Sequence, residues 1–596
     1  MCGIHLYIQK GNDKDVGRNV IDRMLSATRH RGPDGMDWKH LDWDDEQIWL
    51  GHNLLAITDS VENSRQPMIG NSGDFGIIFN GQIYNHLELR KEIIQEGINF
   101  KTDSDTETLL YWVKTFGRKG LRKLKGMFAF VFWDSQKRLL IIHRDSFGIK
   151  PLYFARNRNN FVLSSEPVGV FSSELFNLKF DPNSGFDLLQ YRHIQKNETP
   201  WFGLKELNPG ETIEYWENKP MHYFVQTEQS SSAHSKLEDS INEGFNETIP
   251  QNIPVGLMLS GGIDSTIILD YCIKNKIKII PYSVRFNFGE KEDFEDEEAV
   301  KFLETLYEIE VSWININKAD LSDYFENLIN QSPFVADTAW FLSYKIAERA
   351  KIDGIKVLLS GAGADELFGG YRRHWFFFQW KRFQSFIPDS LQRYIFRNLG
   401  MKNFRKSNAE HLFARNIWEM ALSSGLTSEL KKSTQSTGSI SGKEFTLEDA
   451  LIWDQTHFLV NDVLKITDLA TMAHGIEGRF PFLHPSIKNY ANQFSGIERL
   501  KNGRKWMLKE ILEPITGSKF VNRKKRGFGL PIGTFFTSET GRKIVIESLN
   551  TLEISDLFKE NSWEKTKAEL ISYPEKWVQE IHSICLLSKF FKKNKP

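Results

Sequence analysis

The stretch Val255-Gly-Leu-Met-Leu-Ser-Gly-Gly-Ile-Asp-Ser-Thr266 decides the fold of the longer part of the chain. Its first five residues, Val255–Leu259, form an apolar run of the length of one buried parallel strand. Two glycines break the run, and Asp264-Ser265-Thr266 predicts a side-chain cap for the apolar helix that follows. A strand, a glycine turn and a helix N-terminus together form an anion site, because main-chain N–H groups and the positive helix end point to one place.

This turn has the features of a phosphate-binding loop. The glycines let the main chain approach phosphate oxygens, and Ser260 and Ser265 add hydroxyl donors. No Gly-Lys-Ser/Thr follows, and the dinucleotide pattern G-x-G-x-x-G is absent. A plain glycine–serine turn before a helix is the alternative. The order Ser-Gly-Gly-x-Asp-Ser resembles the pyrophosphate-binding loop of the ATP pyrophosphatases, which implies cleavage of ATP between its α and β phosphates and activation of an oxygen as its adenylate.

Composition narrows the class of protein. The 596 residues are enough for several domains, and 13% of them are aromatic. The net charge of −1 gives no reason to expect a nucleic-acid partner. The three cysteines contain no C-x-x-C, so they form neither a disulfide framework nor a zinc set, and we expect Cys272 to be a small core residue. Without a membrane-length apolar run or a signal-peptide core, we expect no membrane association and a cytoplasmic location.

The N-terminus carries a candidate nucleophile. A small second residue permits removal of Met1, after which Cys2 has both a thiol and a free α-amine. An amine that titrates near ~8 beside a thiol that titrates near ~8.5 can act as its base. Nucleophile and base would then lie on one residue. Taken alone, a cysteine at position two carries no such meaning.

Four downstream stretches give Cys2 its context, namely Arg29–Gly35, Phe79–Asn85, Thr102–Glu107 and Arg144–Tyr153. Each alone is compatible with ordinary turn chemistry, and the second is expected to end a strand that runs from Phe75 to Phe79. In this order and at this spacing they resemble the N-terminal-nucleophile glutaminase domain of the class II glutamine amidotransferases. The resemblance implies an αββα layered sandwich over the first third of the chain. The alternating apolar runs between residues 128 and 164 fit such a strand-rich domain.

The resemblance assigns roles in this first site. Cys2 corresponds to the nucleophile, Asn80 and the Gly81 N–H to the oxyanion hole, and Asp105 to the partner of the glutamine α-amine. Gln82 stands where the family usually has Glu. The alternatives are a hairpin turn at Asn80-Gly81 and a plain helix cap at Asp105.

One position in this site departs from the family. Leu54 stands where an Arg normally pairs with the glutamine α-carboxylate, and Leu cannot form a bidentate ion pair. We therefore expect a raised KM for glutamine or reliance on free ammonia. Arg65 and Arg31 are the candidates to replace the missing cation.

The chain after residue 236 alternates strand and helix patterns, among them a helix over Glu295–Tyr307, which predicts a doubly wound parallel sheet. Ligands bind at the carboxyl ends of such strands, so Ser260 and Ser360 should face one crevice. Val284, which ends another predicted strand, is a candidate for the adenine site. The predicted fold class is thus an α+β N-terminal-nucleophile sandwich followed by an α/β sheet of ATP-pyrophosphatase type with helical additions.

Two further motifs, Leu359–Tyr371 and Asp468–Leu483, closely resemble signatures of the asparagine synthetase family, and 503–509 and 525–531 match later elements of it. Asp264 and Asp365 are predicted to be oxygen ligands of Mg²⁺ on ATP. Lys505 corresponds to the lysine that stabilises the leaving pyrophosphate; a surface lysine is the alternative. The predicted ATP-binding residues are Leu259, Ser260, Gly261, Gly262, Asp264, Ser265, Val284, Ser360 and Gly361.

Two departures concern the acyl substrate. Ala362 stands where an acidic residue is common, and His484 follows Pro-Phe-Leu where Asp is usual. Glu477 and Arg479, in contrast, have the spacing of a buried structural pair.

The sequence predicts a glutaminase domain at 2–215, an asparagine synthase-type ATP-pyrophosphatase domain at 236–535 and a C-terminal helical extension at 536–596, with a polar linker at 226–235. The predicted reaction is ATP-dependent amidation of aspartate through an acyl-AMP, with ammonia from glutamine. The alternatives are the same chemistry on a sugar uronate or a peptide carboxylate, or a non-catalytic nucleotide-binding scaffold. A tRNA-thiolating enzyme would need further reactive cysteines. The oligomeric state stays open, with a homodimer as one alternative.

Overall fold

A computed structural model of the chain describes residues 2–11, 13–43, 45–57, 60–195, 198–216, 219–225, 234–288, 295–331, 334–383, 446–523, 529–551 and 560–593. Most of the predicted linker, the aromatic-rich segment beyond 383 and the basic part of the motif at 525–531 lie outside the described residues. None of the described helices combines the length and the apolar character that crossing a membrane requires.

The first part of the chain forms two antiparallel sheets of six strands each. One sheet has the order β10-β8-β9-β1-β3-β2, and the other has the order β12-β11-β7-β6-β5-β4. The strands are β1 (Gly3–Lys10), β2 (Gly35–Trp43), β3 (Glu46–Leu54), β4 (Met68–Ile69), β5 (Phe75–Ile83), β6 (Gly126–Asp134), β7 (Leu139–Arg144), β8 (Tyr153–Arg156), β9 (Asn160–Ser164), β10 (Leu204–Glu206), β11 (Glu211–Trp216) and β12 (Lys219–Phe224). The helices are α1 (Lys14–Ala27), α2 (His86–Gln95), α3 (Asp105–Gly120), α4 (Pro167–Phe171) and α5 (Pro182–Tyr191), with 3₁₀ turns at Arg29–Arg31 and Leu121–Lys123.

The two sheets face each other and helices cover their outer sides. Alternate residues of β1 and β6 pack between the sheets, as the two-residue period of a strand requires. Helix α1 packs on the outer face of the first sheet through apolar residues at helical spacing. Helices α2 and α3 pack on the second sheet in the same way. The layered αββα arrangement predicted for this part is therefore observed.

The second part contains a five-stranded sheet that is parallel throughout, in the order β15-β14-β13-β16-β17. Its strands are β13 (Val255–Met258), β14 (Ile279–Phe286), β15 (Ser312–Ile316), β16 (Val357–Leu359) and β17 (Glu477–Arg479). The helices up to the last strand are α6 (Leu237–Thr248), α7 (Ile263–Lys274), α8 (Glu295–Tyr307), α9 (Lys318–Asp323), α10 (Ala339–Ile352), α11 (Ala364–Phe368), α12 (Arg372–Phe383), α13 (Leu447–Trp453) and α14 (Lys465–Met472), with π-helical segments at Tyr324–Leu328 and Asp454–Leu464 and a 3₁₀ turn at Ile329–Gln331.

The remaining helices are α15 (Pro485–Ala491), α16 (Gly496–Leu500), α17 (Trp506–Thr516), α18 (Ser518–Val521), α19 (Ile532–Phe536), α20 (Glu539–Thr551), α21 (Glu560–Ser572) and α22 (Val578–Lys593), with a 3₁₀ turn at Pro574–Lys576. The last of these share one buried apolar cluster with α10 and with the segment around Tyr324. The C-terminal helices thus pack into the core of the second part, and its division at residue 535 stays a prediction.

Two sequence-based boundaries were wrong. Helix α7 begins at Ile263, its cap residue is Gly262, and no side chain caps it, because the hydroxyls of Ser265 and Thr266 bond back to the Gly262 carbonyl. Strand β5 was expected to end at Phe79, but it pairs with β6 as far as Ile83. The Asn80-Gly81 pair is therefore strand and not a hairpin turn.

The two parts contact each other through buried apolar side chains and through buried ion pairs. One apolar cluster joins four residues of the first part to four of the second: Tyr84, Met127, Phe147 and Ile149 with Leu459, Leu464, Phe480 and Leu483. Ion pairs cross the same boundary, including Arg31–Asp468 at 2.9 Å and Lys465–Glu206 at 2.7 Å. Buried pairs of this kind fix the relative position of the two parts, because separating them would leave charges without partners.

Candidate active sites

Cys2 lies directly before β1 and is buried. Its main-chain nitrogen donates a hydrogen bond of 2.9 Å to Asn80 Oδ1 on the neighbouring sheet. Burial raises the pKa of the thiol above its ordinary value. The thiol is therefore protonated at neutral pH, and its use as a nucleophile requires a base within reach.

Asn80 and Gly81 supply candidate donors beside this thiol. Asn80 is fully buried, and its Nδ2 has no hydrogen-bond partner among the described residues. Gly81 has φ +148°, and a Cβ there would lie 2.0 Å from the Met127 carbonyl oxygen. No other residue fits, because the bend brings the strand's main chain against β6. An unsatisfied buried amide is unusual and indicates a polar atom that binds there.

A cavity of about 910 Å³ opens from Cys2. Leu54, Gly81, Gln82 and Asp105 line it, so the structure brings the predicted residues of the first site together. Asp105 is not the helix cap, because Ser104 caps α3. Its carboxylate instead accepts a 2.9 Å bond from the Ile83 N–H.

Burial raises the pKa of Asp105 to about 6, although the Ile83 N–H opposes that shift. An acid in this state is still mostly ionised at neutral pH. Neither Arg31 nor Arg65, the two candidates to replace the missing arginine, is among the described residues that line the cavity. Arg31 is fully buried between Glu166 at 2.7 Å and Asp468 at 2.9 Å, and Arg65 is exposed.

The second part of the chain completes this cavity. Glu477 and Arg479 form the predicted buried pair, with Arg479 Nε 2.6 Å from Glu477 Oε1. Both also line the cavity of Cys2, although Glu477 lies 475 positions further along the chain and no local sequence signal indicates this. Arg479 extends the connection to the other site, because its carbonyl accepts a 2.9 Å bond from the Ser360 N–H.

The second site lies where the sheet order predicts it, at the carboxyl ends of the neighbouring strands β13 and β16. Gly261 has φ +67°, and the Ser260 and Ser265 hydroxyls lie 3.3 Å apart inside the loop. Arg523, which the sequence did not single out, donates to the Gly261 carbonyl and pairs with Asp296 at 2.8 Å. The loop is thus held from outside by a cation as well as by its own hydroxyls.

Asp264, Asp365 and Lys505 meet at this place. Lys505 Nζ lies 2.8 and 2.7 Å from the two Asp264 oxygens and 2.5 Å from Asp365 Oδ1. Burial alone would lower the pKa of Lys505, but the two carboxylates outweigh it and raise the pKa above its ordinary value. Gly361 allows this close approach, because a Cβ there would lie 2.8 Å from Asp264 Cβ. Lys505 is therefore not a surface lysine.

The other predicted residues of this site lie around the same strand ends. Leu259 is buried directly after β13, and Ser360 and Gly361 follow β16. Val284 does not end its strand as predicted, because pairing with β15 continues β14 to Phe286, and Val284 is partly buried against the core. Its role beside an adenine ring stays a prediction.

His484 and Ala362, the two positions of the second site that depart from the family pattern, have different surroundings. His484 is fully buried and caps α15 by accepting from the Ser486 N–H, while its Nε2 lies 2.9 Å from Glu247. It therefore has a structural role as a helix cap. Ala362 packs against the apolar cluster between the two parts and offers no acid to the site.

Comparison with known proteins shows the family of the chain. Residues 1–224 match the family model of the glutamine amidotransferase domain, and residues 236–590 match that of asparagine synthase. Asparagine synthetase (glutamine-hydrolyzing) 1 of Bacillus subtilis strain 168 is 29% identical over 590 residues, which cover 92% of this chain and 90% of that protein. Asparagine synthetase (glutamine-hydrolyzing) 3 of the same organism is 27% identical and covers 88% and 86%.

A more distant relative, amidase chry2 of Gibberella zeae, is 23% identical over 89% of this chain and 88% of its own. Among solved structures, the glutamine phosphoribosylpyrophosphate amidotransferase of B. subtilis aligns with 60% of this chain and 81% of its own at 14% identity, with a TM-score of 0.30. Because the asparagine synthase model alone spans more than half of the residues, the chain belongs to the asparagine synthase family, with a glutamine amidotransferase domain preceding the synthase region.

Proposed function

We propose that this member of a family of carbon–nitrogen ligases converts aspartate to asparagine with ATP, through an acyl-AMP, and takes its ammonia from the side-chain amide of glutamine. The observation that carries the proposal is the meeting of Asp264, Asp365 and Lys505 beside a glycine-rich loop at the carboxyl ends of β13 and β16. A loop of this kind binds phosphates, and the lysine lies where charge grows when pyrophosphate leaves.

The first half of the reaction belongs to Cys2. Its thiol, deprotonated by its own α-amine, attacks the amide carbon, and the free Nδ2 of Asn80 and the Gly81 N–H stabilise the oxyanion. The C–N bond breaks, the proton from the thiol leaves with ammonia, and water then hydrolyses the thioester. Asp105 binds the α-ammonium group of the amide donor.

The second half belongs to the loop and the charged cluster. Main-chain N–H groups of Ser260–Ser265 bind the β and γ phosphates, while a carboxylate of the acyl substrate attacks the α phosphorus. Lys505 neutralises the charge that develops on the departing pyrophosphate.

Asp264 and Asp365 fit a magnesium ion, because their carboxylates already converge on one cationic atom and Mg²⁺ prefers oxygen ligands shared with phosphates and water. When bound, the ion would neutralise phosphate oxygens. Among the described residues no cluster of three or more His, Cys, Asp or Glu side chains exists, so the remaining ligands would come from ATP and water.

Ammonia has to pass from one site to the other before it is protonated. The apolar cluster between the two parts reaches both sites, because Met127 lies against Gly81 and Ala362 packs on the cluster, which supports an enclosed route. Strand β17 supports transfer of ammonia from the Cys2 site to the ATP site. Its side chains line the cavity of Cys2, and its main chain is hydrogen-bonded to Ser360.

A second candidate is the same chemistry on another carboxylate, such as a sugar uronate or a peptide side chain. Ala362 favours it, because an apolar residue stands beside the strand end where the family usually has an acid. His484 does not, since its ring is used to cap α15.

The test is product analysis with ATP, Mg²⁺ and aspartate, with either glutamine or ammonium as nitrogen source. We expect asparagine, AMP and pyrophosphate in equal amounts, with Cys2→Ala active on ammonium only and Asp264→Asn inactive on both. Pyrophosphate with a different acid and none with aspartate would favour the second candidate. ATP binding without AMP from any carboxylate would favour a non-catalytic scaffold. A cytoplasmic location and a homodimer stay predictions; gel filtration tests the latter.

A further inference from the structure

The cavity of Cys2 has an unusual balance of charged groups. Within the described residues its carboxyl groups belong to Asp103, Asp105 and Glu477, and its lysine and arginine side chains are Arg90, Lys101 and Arg479. Free glutamine brings one ammonium and one carboxylate, so it needs a carboxylate and a cation from the protein. Asp105 supplies the carboxylate. Whether the protein also supplies the cation depends on the contacts that Arg90, Lys101 and Arg479 already make.

Two of the cations are already held. Arg479 donates from Nε to Glu477 at 2.6 Å and from Nη1 to the Thr248 carbonyl at 2.7 Å. Arg90 donates from Nη2 to the Thr102 carbonyl and pairs through Nη1 with Asp103 at 3.4 Å. Binding a ligand carboxylate with either guanidinium would require giving up bonds that the fold already makes.

Arg90 is the strongest alternative partner for a ligand carboxylate, because its Nε is buried and has no partner among the described residues. Its guanidinium lies 4.0 Å from the Phe100 ring centre, and Nη2, the other nitrogen on the Nε edge, is occupied. It therefore cannot offer a free two-nitrogen fork. Lys101 is exposed, and an exposed ammonium is a hydrated point charge that attracts a carboxylate only weakly.

Leu54 makes the wall apolar where the strand ends. The residue is 4% exposed, and its carbonyl accepts a 2.9 Å bond from the Asp34 N–H. The turn before β2 packs so closely that a Cβ on Gly32 would lie 2.5 Å from the Leu54 nitrogen. Leu54 is thus fixed in the wall. A carboxylate placed against it would lose water without gaining a partner, which is costly.

The size of the cavity points to a larger ligand than a free amino acid. Its volume of about 910 Å³ is near the top of the roughly 300–1,000 Å³ that pockets for drug-sized ligands occupy. Further apolar side chains in the lining, including Ile57, Ile94 and Ile98, would accept additional atoms attached to the α-carbonyl group.

We propose that the amide donor is a glutaminyl compound with a free α-amine and an α-carboxyl group capped as an amide or ester, such as the N-terminal glutamine of a peptide. This inference rests on the proposed glutaminase reaction and names the donor that the same site takes. Asp105 binds the ammonium, Leu54 contacts the uncharged α-carbonyl group, and the rest of the compound fills the cavity. Cys2 forms a thioester at the side-chain carbonyl carbon and ammonia leaves. Water then restores the thiol and gives the γ-carboxylic acid.

The experiment compares L-glutamine with its α-N-methylamide on the full chain and measures ammonia release at the side-chain amide. We expect kcat/KM to be about tenfold or more higher for the methylamide, because no desolvated carboxylate has to be left unpaired. The N-acetylated methylamide, which lacks the ammonium, should not be hydrolysed, and Cys2→Ala gives the background.

Leu54→Arg should reverse the order of the two substrates, whereas Leu54→Met, which keeps the wall apolar, should retain it. A wild-type enzyme that prefers free glutamine overturns the inference and leaves the glutaminase proposal standing. If Arg90→Met then loses the preference for free glutamine, Arg90 is the cation that binds the α-carboxylate, and the inference is overturned in the same way. If neither amide is hydrolysed in a Cys2-dependent way, the glutaminase proposal itself fails.

Discussion

Replacing Lys505 with methionine removes the ammonium group that bridges Asp264 and Asp365. Methionine keeps the length of the side chain, so the change tests charge more than volume. The two carboxylates, each within 2.8 Å of Lys505 Nζ, would face each other roughly 5 Å apart. At an effective dielectric constant of about 20, two such charges repel by about 3 kcal/mol.

The loss of stability should be of similar size. Breaking a buried pair costs about 3–5 kcal/mol, and the Asp365 side chain is 29% exposed, which places the cost near the lower end. Protonation of either carboxyl group removes this repulsion. The variant should therefore differ most from wild type at neutral pH and least in acid.

The assay is thermal unfolding at pH 5 and pH 7.5, with and without Mg²⁺, together with pyrophosphate release. We expect a melting temperature several degrees below wild type at pH 7.5, partial recovery with Mg²⁺, and pyrophosphate release lower by about 10²–10³-fold. The matched control is Lys509→Met in α17, the helix that begins directly after Lys505; among the contacts described, the Lys509 amine bonds only to the Asn522 amide oxygen. A melting temperature equal to wild type at pH 7.5 would refute the reasoning.

Three further expectations concern the first site and its junction with the second. Asn80→Ala should lower glutamine-dependent synthesis by about 10²–10³-fold and leave ammonium-dependent synthesis unchanged, which parallel assays with the two nitrogen sources would check. The KM for the amide donor should rise as pH falls through about 6, where Asp105 becomes neutral; Asp105→Asn should remove this dependence, and a flat wild-type profile would contradict it. Asp468→Ala should destabilise the chain by about 3 kcal/mol, since Arg31 stays buried with one partner fewer. Calorimetry measures this loss, and glutaminase activity should fall with it because Arg31 Nε bonds the Cys2 carbonyl.

The sequence predicted those elements whose signal is local. Helix α8 has the predicted bounds Glu295–Tyr307, because an acidic first turn and a helical apolar period mark it from end to end. The parallel sheet, with Ser260 and Ser360 at the same edge, followed from the alternation of strand and helix, since parallel strands need helical crossovers. Cys272 is buried as expected of a small core residue, and burial raises its pKa to about 12.

The errors arose where distant contacts override local preference. Asn80-Gly81 favours a turn in isolation, yet pairing with β6 holds it in a strand. Asp264 is of a residue type that often caps helices, but its carboxylate instead accepts a hydrogen bond from Lys505, 241 positions away. Arg523 and the pair Glu477–Arg479 carry no motif for the roles that their positions give them. Only the folded chain brings them to the two sites.

Strand β17, only three residues long, restricts how the two halves of this enzyme can be exchanged between relatives. Its side chains close the compartment of Cys2, and its main chain holds both Lys356 and Ser360. A chimaera that joined the first 225 residues of a homologue to the remainder of this chain would inherit a wall made for another pocket. Modular engineering of the family would therefore have to transplant β17 together with the N-terminal half, even though the intervening sequence separates them by more than 250 positions.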